Sequence, residues 1–243
     1  MNPNHLILFG LFVFLAHVVA SVTGFGSNIV GLPLVALVVG LDEGKQSLIV
    51  LSSLMYVIIV ARWHRRIDWK QLGIMLGFAT IGVPIGLYLY DLMPRRIAMI
   101  LLGAFVALVG LRNLLQLMPD TRAPRWLARV LLVAGGVVHG AFTTGGPLLI
   151  VYADQTIKHK SIFRSTLSLL WLALNLILFV LWTWKHAWAA ATPRLTLLGL
   201  PFLIGGLITG EFVHHRIDER GFRRAVSATL LLIGLLVIAT AAG

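Results

Sequence analysis

Two short clusters of small and hydroxyl-bearing residues carry the chemistry of this chain. The first, Gly24, Phe25, Gly26, Ser27 and Asn28, lies within SVTGFGSNIVGLP at 21–33, and the second, Thr143, Thr144, Gly145 and Gly146, within HGAFTTGGP at 139–147. Apolar runs flank both, 6–20 and 34–41 around the first and 131–138 and 148–153 around the second. Lipid cannot hydrogen-bond a freed backbone N–H or C=O, so such an interruption is tolerated only where protein buries it or a polar cavity wets it. At the first break Gly24, Gly26 and Gly31 open conformations closed to other residues, and Pro33 withholds a donor. Asn28 is placed to cap the half-helix that follows, and Pro147 suits the first turn of the half-helix after the second break. Unpaired N–H groups at the start of a half-helix, with the positive end of its dipole, make an anion site out of backbone. A matched pair of such breaks marks the binding site of a transporter. Glycines that only let helices pack closely are the plainer reading, and it suffices for the isolated Gly73, Gly77, Gly103 and Gly199.

The ionisable residues near the breaks admit specific roles beside ordinary ones. Arg164 follows Lys160 by four residues, beside Ser165 and Thr166 and one turn before Ser168, where it can pair bidentately with an anion or snorkel to the surface. His17 and His139 each precede a break, which suits proton-linked gating, axial haem ligation or plain packing. Glu211, close to His214 and His215, either relays protons or sits at the interface. Ser52, Ser53 and Asn175 line a path or bond between helices, and Trp63, Trp69, Trp182, Trp184 and Trp188 read as interface anchors at span ends. His-Glu-x-x-His, Gly-x-Ser-x-Gly and Walker-type patterns are absent, and zero cysteines exclude disulfides, thiolate chemistry and Cys-ligated metals. The parts of an enzyme are missing, and no cofactor is called for.

The elements that must position these residues are membrane helices. Of 243 residues 58% are hydrophobic and 12% charged, with a mean hydropathy of +0.92, far from soluble-domain values. Runs near the ~20 residues that cross a bilayer fall at 46–62, 71–90, 97–118, 162–184, 195–213 and 225–242. Six full spans and two broken segments follow. No Lys or Arg precedes the first run, so a cleaved signal peptide is not expected. Lys plus Arg outnumber Asp plus Glu by 20 to 9. They lie in short loops, where the positive-inside rule explains them without nucleic acid. Single crossings by both broken segments would split the cations evenly between the two sides. A second segment that enters and leaves on one side splits them 15 to 5 and is preferred. For the first segment only symmetry argues for a hairpin.

That symmetry extends beyond the breaks. IGVPIG at 81–86 and IGGLIT at 204–209 each lie in a span followed by a charged turn and a further span with a late glycine, Gly110 or Gly234. Gly-Lys-Gln-Ser at 44–47 falls near His-Lys-Ser at 159–161. The fold expected is an all-α polytopic membrane protein of two inverted repeats, 1–118 and 124–243, each with a broken hairpin helix and three transmembrane helices. The C-terminus would then face away from the cytoplasm.

These motifs resemble the TauE/SafE family, also called the toluene sulfonate uptake permease family. The resemblance rests on TGFGSNIVGLP at 23–33, HGAFTTGGPLLIVY at 139–152, the Arg164, Ser165, Thr166 segment and IGGLITGEFVHHRI at 204–217, in order over nearly the whole chain. It implies secondary transport of small anions, often sulfur-containing, such as sulfite, thiosulfate, sulfoacetate or aryl sulfonates. Many members carry a richer glycine run at the first break, where this chain has Ser27 and Asn28, so side-chain donors supplement backbone ones here. The expectation is a carrier of the bacterial inner membrane that works by alternating access. Its substrate is held near Gly24–Asn28 and Thr143–Gly146 with Arg164 as counter-charge, and its candidate proton carriers are His17, His139 and Glu211. An anion channel and a non-transporting accessory subunit are the alternatives. The partners expected are the anion and lipid, with a homodimer compatible.

Overall fold

A computed structural model describes residues 3–23, 26–115, 124–214 and 219–243. Among them are ten α-helices, α1 (Pro3–Thr23), α2 (Ser27–Val39), α3 (Leu41–Trp63), α4 (Trp69–Asp91), α5 (Arg95–Leu114), α6 (Arg125–Phe142), α7 (Gly146–Thr156), α8 (Lys160–Trp184), α9 (Thr192–His214) and α10 (Glu219–Ala242), with a 3-10 turn at His64–Arg66. The all-helical reading holds, and the chain is a multi-pass membrane protein. Eight helices are long and apolar enough to cross a membrane. The six runs read as spans are α3, α4, α5, α8, α9 and α10. The other two are α1 and α6, the first legs of the broken segments, so each break follows a leg of full crossing length rather than a half-helix.

The chain divides into two compact units, each drawing on both halves of the sequence. The first comprises Met1–Leu48, Met93–Asp120 and Ala191–Gly243, the second Ile49–Leu92 and Thr121–Ala190. In the first unit α2 folds back along α1, since a Cβ on Gly31 would stand 3.0 Å from the Ala16 Cβ. Helix α9 packs parallel to α1, so close that a Cβ on Gly206 would stand 2.7 Å from the Phe14 carbonyl oxygen and one on Gly210 2.5 Å from the Ser21 Cβ. Helices α5 and α10 pack antiparallel through Gly103, Gly110 and Gly234. In the second unit α7 folds back along α6, and a Cβ on Gly135 would meet Leu149 at 2.7 Å. Helix α4 runs parallel to α6, so close that a Cβ on Gly136 or Gly140 would land on the carbonyl oxygens of Ala79 and Val83. With little hydrophobic drive between helices in lipid, this backbone proximity and its dispersion contacts supply the association.

Two small-residue readings change. Gly73 and Gly77 face open space and pack against nothing. Set end to end, IGVPIG at 81–86 and IGGLIT at 204–209 pair Gly82 with Gly205, but the α9 glycine that packs as Gly82 does is Gly206, which brings the pairs 82/206, 86/210 and 110/234 to one common spacing.

Both ends of the second hairpin lie beside the start of α4. Tyr152 on α7 donates to Gln71 Oε1 at 2.8 Å, and the Arg129 guanidinium on α6 stands 5.8 Å from the Phe78 ring centroid. The start of α8 reaches the same place, where the Asp68 N–H donates to Thr166 Oγ1 at 3.0 Å. At the opposite end Lys185 pairs with Asp91 at 2.9 Å. Among the described residues of this unit, that end carries Lys185 alone, while Arg62, Arg65, Arg66, Lys70, Arg125, Arg129, Lys158, Lys160 and Arg164 gather at the end of the hairpin's feet. The positive-inside rule assigns that basic end to the cytoplasm. Trp69 and Trp184 are 67% and 78% exposed, as interface anchors are. Trp182 differs from that expectation. It is 2% exposed and sits edge-on to Trp188 at 5.5 Å, because its side chain points inward from α8.

Candidate functional site

At the first break, Gly24 and Phe25 lie outside the described residues. Gly26 sits at φ +95, a left-handed conformation that favours glycine, and it caps α2. The expected cap, Asn28, lies inside the helix instead. A left-handed glycine turns the chain sharply enough for α2 to start at Ser27, one residue before Asn28 can act as a cap. The first ladder bond runs from Val30 N–H to the Gly26 carbonyl at 3.3 Å. The amides of Ser27, Asn28 and Ile29 therefore begin outside the helical ladder. Ser27 is fully buried and Asn28 is 8% exposed, and the Ser27 hydroxyl donates to Asn28 Oδ1 at 3.3 Å. Earlier on α1, His17 is fully buried. Its Nδ1 lies 2.8 Å from the Val13 carbonyl, while Nε2 has no hydrogen-bond partner.

The second break is the more complete site. Thr143 ends α6 in a left-handed conformation, φ +57, and its N–H donates to the His139 carbonyl at 2.7 Å. Gly145 caps α7, with Pro147 in the first turn as its fixed φ suits. A side chain at Gly145 would collide with the Gly135 carbonyl, so only glycine lets the tip close against α6. The first amides to enter the ladder are those of Leu148 and Leu149, both bonding the Gly145 carbonyl. Pro147 has no N–H, so the Gly145 and Gly146 amides stand at the open, positive end of an eleven-residue helix.

Around that end the polar side chains are buried and unserved. Thr144 and His139 are 3% and 2% exposed; Thr144 Oγ1 has no hydrogen-bond partner, and the His139 ring nitrogens make no well-formed hydrogen bond, with the Asn175 side chain beside the ring. Native interiors rarely leave such groups unmade, and each calls for an explanation. His139 stacks on Trp171 of α8, centroids 6.1 Å apart and planes 23° apart. The Trp171 Nε1 is also buried without a partner. One turn on, Asn175 Nδ2 donates to Ser52 Oγ at 3.2 Å and Ser53 Oγ at 3.0 Å. These residues therefore bond between helices α8 and α3.

Arg164, half-buried at the start of α8, has a buried Nε with no partner, and its carbonyl accepts from the Ser168 hydroxyl at 2.8 Å. Glu211 is exposed on α9, and the side chains of His214 and His215 lie outside the described residues.

Two residues escaped the sequence reading. Trp171 was hidden in an apolar span. Lys45, counted only as a loop cation, is 2% exposed and pairs with Asp42 at 3.1 Å, a carboxylate shared with Arg95 at 2.7 Å. The breaks offered a signal for Lys45. From the start of the second leg to the start of the next helix the interval is the same, 27 to 41 and 146 to 160. Lys45 and Arg164 are each the fifth residue of the helix so placed.

The hollows elsewhere are poorer candidates. One of about 480 Å³ in the first unit lies beside Arg95, Arg96 and Thr240, with both arginines engaged, Arg95 by Asp42 and Arg96 by the Ala242 carbonyl. Another of about 220 Å³ in the second unit lies between Leu54, Leu176 and Phe179 and is almost wholly apolar.

Among known proteins, the chain is similar to the probable inner membrane transporter protein TsaS of Comamonas testosteroni. The two are 27% identical over 173 residues, which cover 70% of this chain and 72% of the relative. No solved structure matches. The family model described as sulfite exporter TauE/SafE matches residues 9–237, which takes in both hairpins and nearly all of the helices that carry them. The chain belongs to the TauE/SafE family of membrane transporters.

Proposed function

We propose that this chain carries a small, sulfur-containing oxyanion across the bacterial inner membrane by alternating access. The observation that carries the reading is the tip of the second hairpin, where a residue with a buried, unpartnered hydroxyl is followed directly by two amides outside the helical ladder. Donors held in that way, at the positive end of a helix and away from water, suit a compact anion. Family membership and the relative's description as a probable inner membrane transporter support the class and the compartment. The first break, Gly24, Phe25, Gly26, Ser27 and Asn28, would offer a second set of donors in the first unit, and Arg164, two turns before Trp171 on α8 and among the cations at the hairpin's feet, would draw the anion in through its unpartnered Nε rather than hold it at the tip. His17 and His139 are the proton carriers of this scheme, with Glu211 a third at the surface.

Reciprocal packing supports the two repeats, 1–118 and 124–243. Helix α4 from the first half packs on the hairpin leg of the second, and α9 from the second half packs on the hairpin leg of the first. An anion entering a cell held negative inside climbs about 2.3 kcal/mol per 100 mV, so uptake needs a coupled ion while export does not. The test is a thermal-shift screen of the purified protein against sulfite, thiosulfate, sulfoacetate, sulfate and simple carboxylates, followed by counterflow in proteoliposomes. A sulfur oxyanion should stabilise the protein and show saturable counterflow. Flux without counterflow would point to a channel, and neither stabilisation nor flux would point to an accessory subunit.

A further inference from the structure

Trp171 is assigned by neither break, yet it is the best-placed side chain at the second. Its ring lies against the start of α7, with Cη2 and Cζ2 at 3.7 and 3.8 Å from where a Cβ on Gly146 would stand. Its other neighbour is His139, stacked at 6.1 Å. Cζ2 is two bonds from Nε1, so the indole nitrogen stands next to the ring edge that covers Gly146, itself beyond 4 Å of that Cβ position. Trp171 is 5% exposed and its N–H reaches no acceptor, although a buried tryptophan ordinarily finds one.

We propose that Trp171 is an anion-binding residue that sets specificity, its Nε1–H joining the α7 amides and the Thr144 hydroxyl around one oxyanion. The proposal rests on the transport reading above and deepens it. An indole N–H and a backbone amide can only donate. A site built mainly of such groups selects a ligand that only accepts, and the indole as a further donor favours an anion with three or more acceptor atoms, such as sulfite, over a carboxylate with two, such as acetate. The ring supplies the rest of the wall by covering Gly146 with carbon edges, which keeps water off the amides and strengthens each bond to the anion. Asn175, one turn on and anchored on Ser52 and Ser53, is a positioning residue that holds this part of α8 in place.

The experiment is Trp171→Phe in the full-length protein, which keeps an aromatic ring on His139 and Gly146 and removes the donor. Sulfite, thiosulfate and acetate are titrated in thermal-shift and counterflow assays beside the wild type. The loss of one hydrogen bond to a charged group predicts about a 10- to 100-fold weaker apparent affinity for sulfite. The preference for sulfite over acetate should narrow. A tryptophan that only packs would shift the melting temperature of the unliganded protein and leave that preference alone. If the smaller ring impairs folding, 3-benzothienylalanine introduced at 171 by codon suppression replaces N–H with sulfur in an otherwise matching ring and must give the same loss. Wild-type affinity and preference in either variant would overturn the assignment of Trp171 alone. No response of the wild type to any of the three anions would overturn both this proposal and the transport reading beneath it.

Discussion

Alanine at Gly140 and alanine at Gly77 should move stability in opposite directions, although both sites lie on the packed pair α4 and α6. A Cβ at Gly140 would overlap the Val83 carbonyl oxygen and stand 2.9 Å from its carbon and 3.0 Å from the Leu87 nitrogen. All three are backbone atoms of α4, which cannot rotate away, so the two helices must part by about 1 Å to restore ordinary contact. That displacement also loosens the neighbouring approaches at Gly82, Gly86 and Gly136. Overpacking costs about 1–3 kcal/mol, and the shared seam argues for the upper end. At about 2–4 °C per kcal/mol for a chain of this size, Gly140→Ala should melt about 6–12 °C below the wild type. Gly77 has nothing within 4 Å of its Cβ position. There alanine removes only the conformational freedom of glycine and should gain about 0.5–1 kcal/mol, a rise of about 1–4 °C. Thermal unfolding of both variants in one detergent decides the matter. A Gly140→Ala protein melting within 2 °C of the wild type on this ~2–4 °C scale, or equal losses in the two variants, would refute the close α4–α6 contact.

Other substitutions separate structure from function. Thr144→Val removes a buried hydroxyl that no protein group satisfies, so the unliganded protein should melt at or above the wild-type temperature while sulfite stabilises it less; thermal shift with and without sulfite reads both. Asp42→Asn should destabilise by about 1–3 kcal/mol, because it strips charge from the carboxylate that faces buried Lys45. Lys45→Met leaves Asp42 its Arg95 partner and should cost less than Asp42→Asn in the same melting assay.

Much of the fold was legible because lipid imposes its own rules. Six of the eight full-length helices appeared as span-length apolar runs, and each break as a run of Gly with Thr, Asn or Pro nearby, since an unpaired backbone has few other ways to survive at that depth. The fold-back of α7 was legible in loop charge, and the structure gathers the same cations at one end of the second unit. Other features depended on three-dimensional neighbours. A sequence shows that Asn28 can cap a helix but not that Gly26, turning left-handed, caps it first. It shows a tryptophan in an apolar span but not that the indole lies over the terminus of the preceding helix. Gly77 and Gly140 are alike in composition and opposite in surroundings. The exchange of α4 and α9 between the sequence halves is likewise invisible along the chain, because it is a property of which helices meet.

The most direct measurement is the anomalous difference density of the protein soaked with selenite, a pyramidal oxyanion of the same shape as sulfite. The account predicts a selenium peak within hydrogen-bonding reach of the Gly146 amide and the Thr144 hydroxyl, displaced by excess sulfite. A peak confined to the exposed arginines at the helix ends, or none at a concentration that supports counterflow, would contradict it.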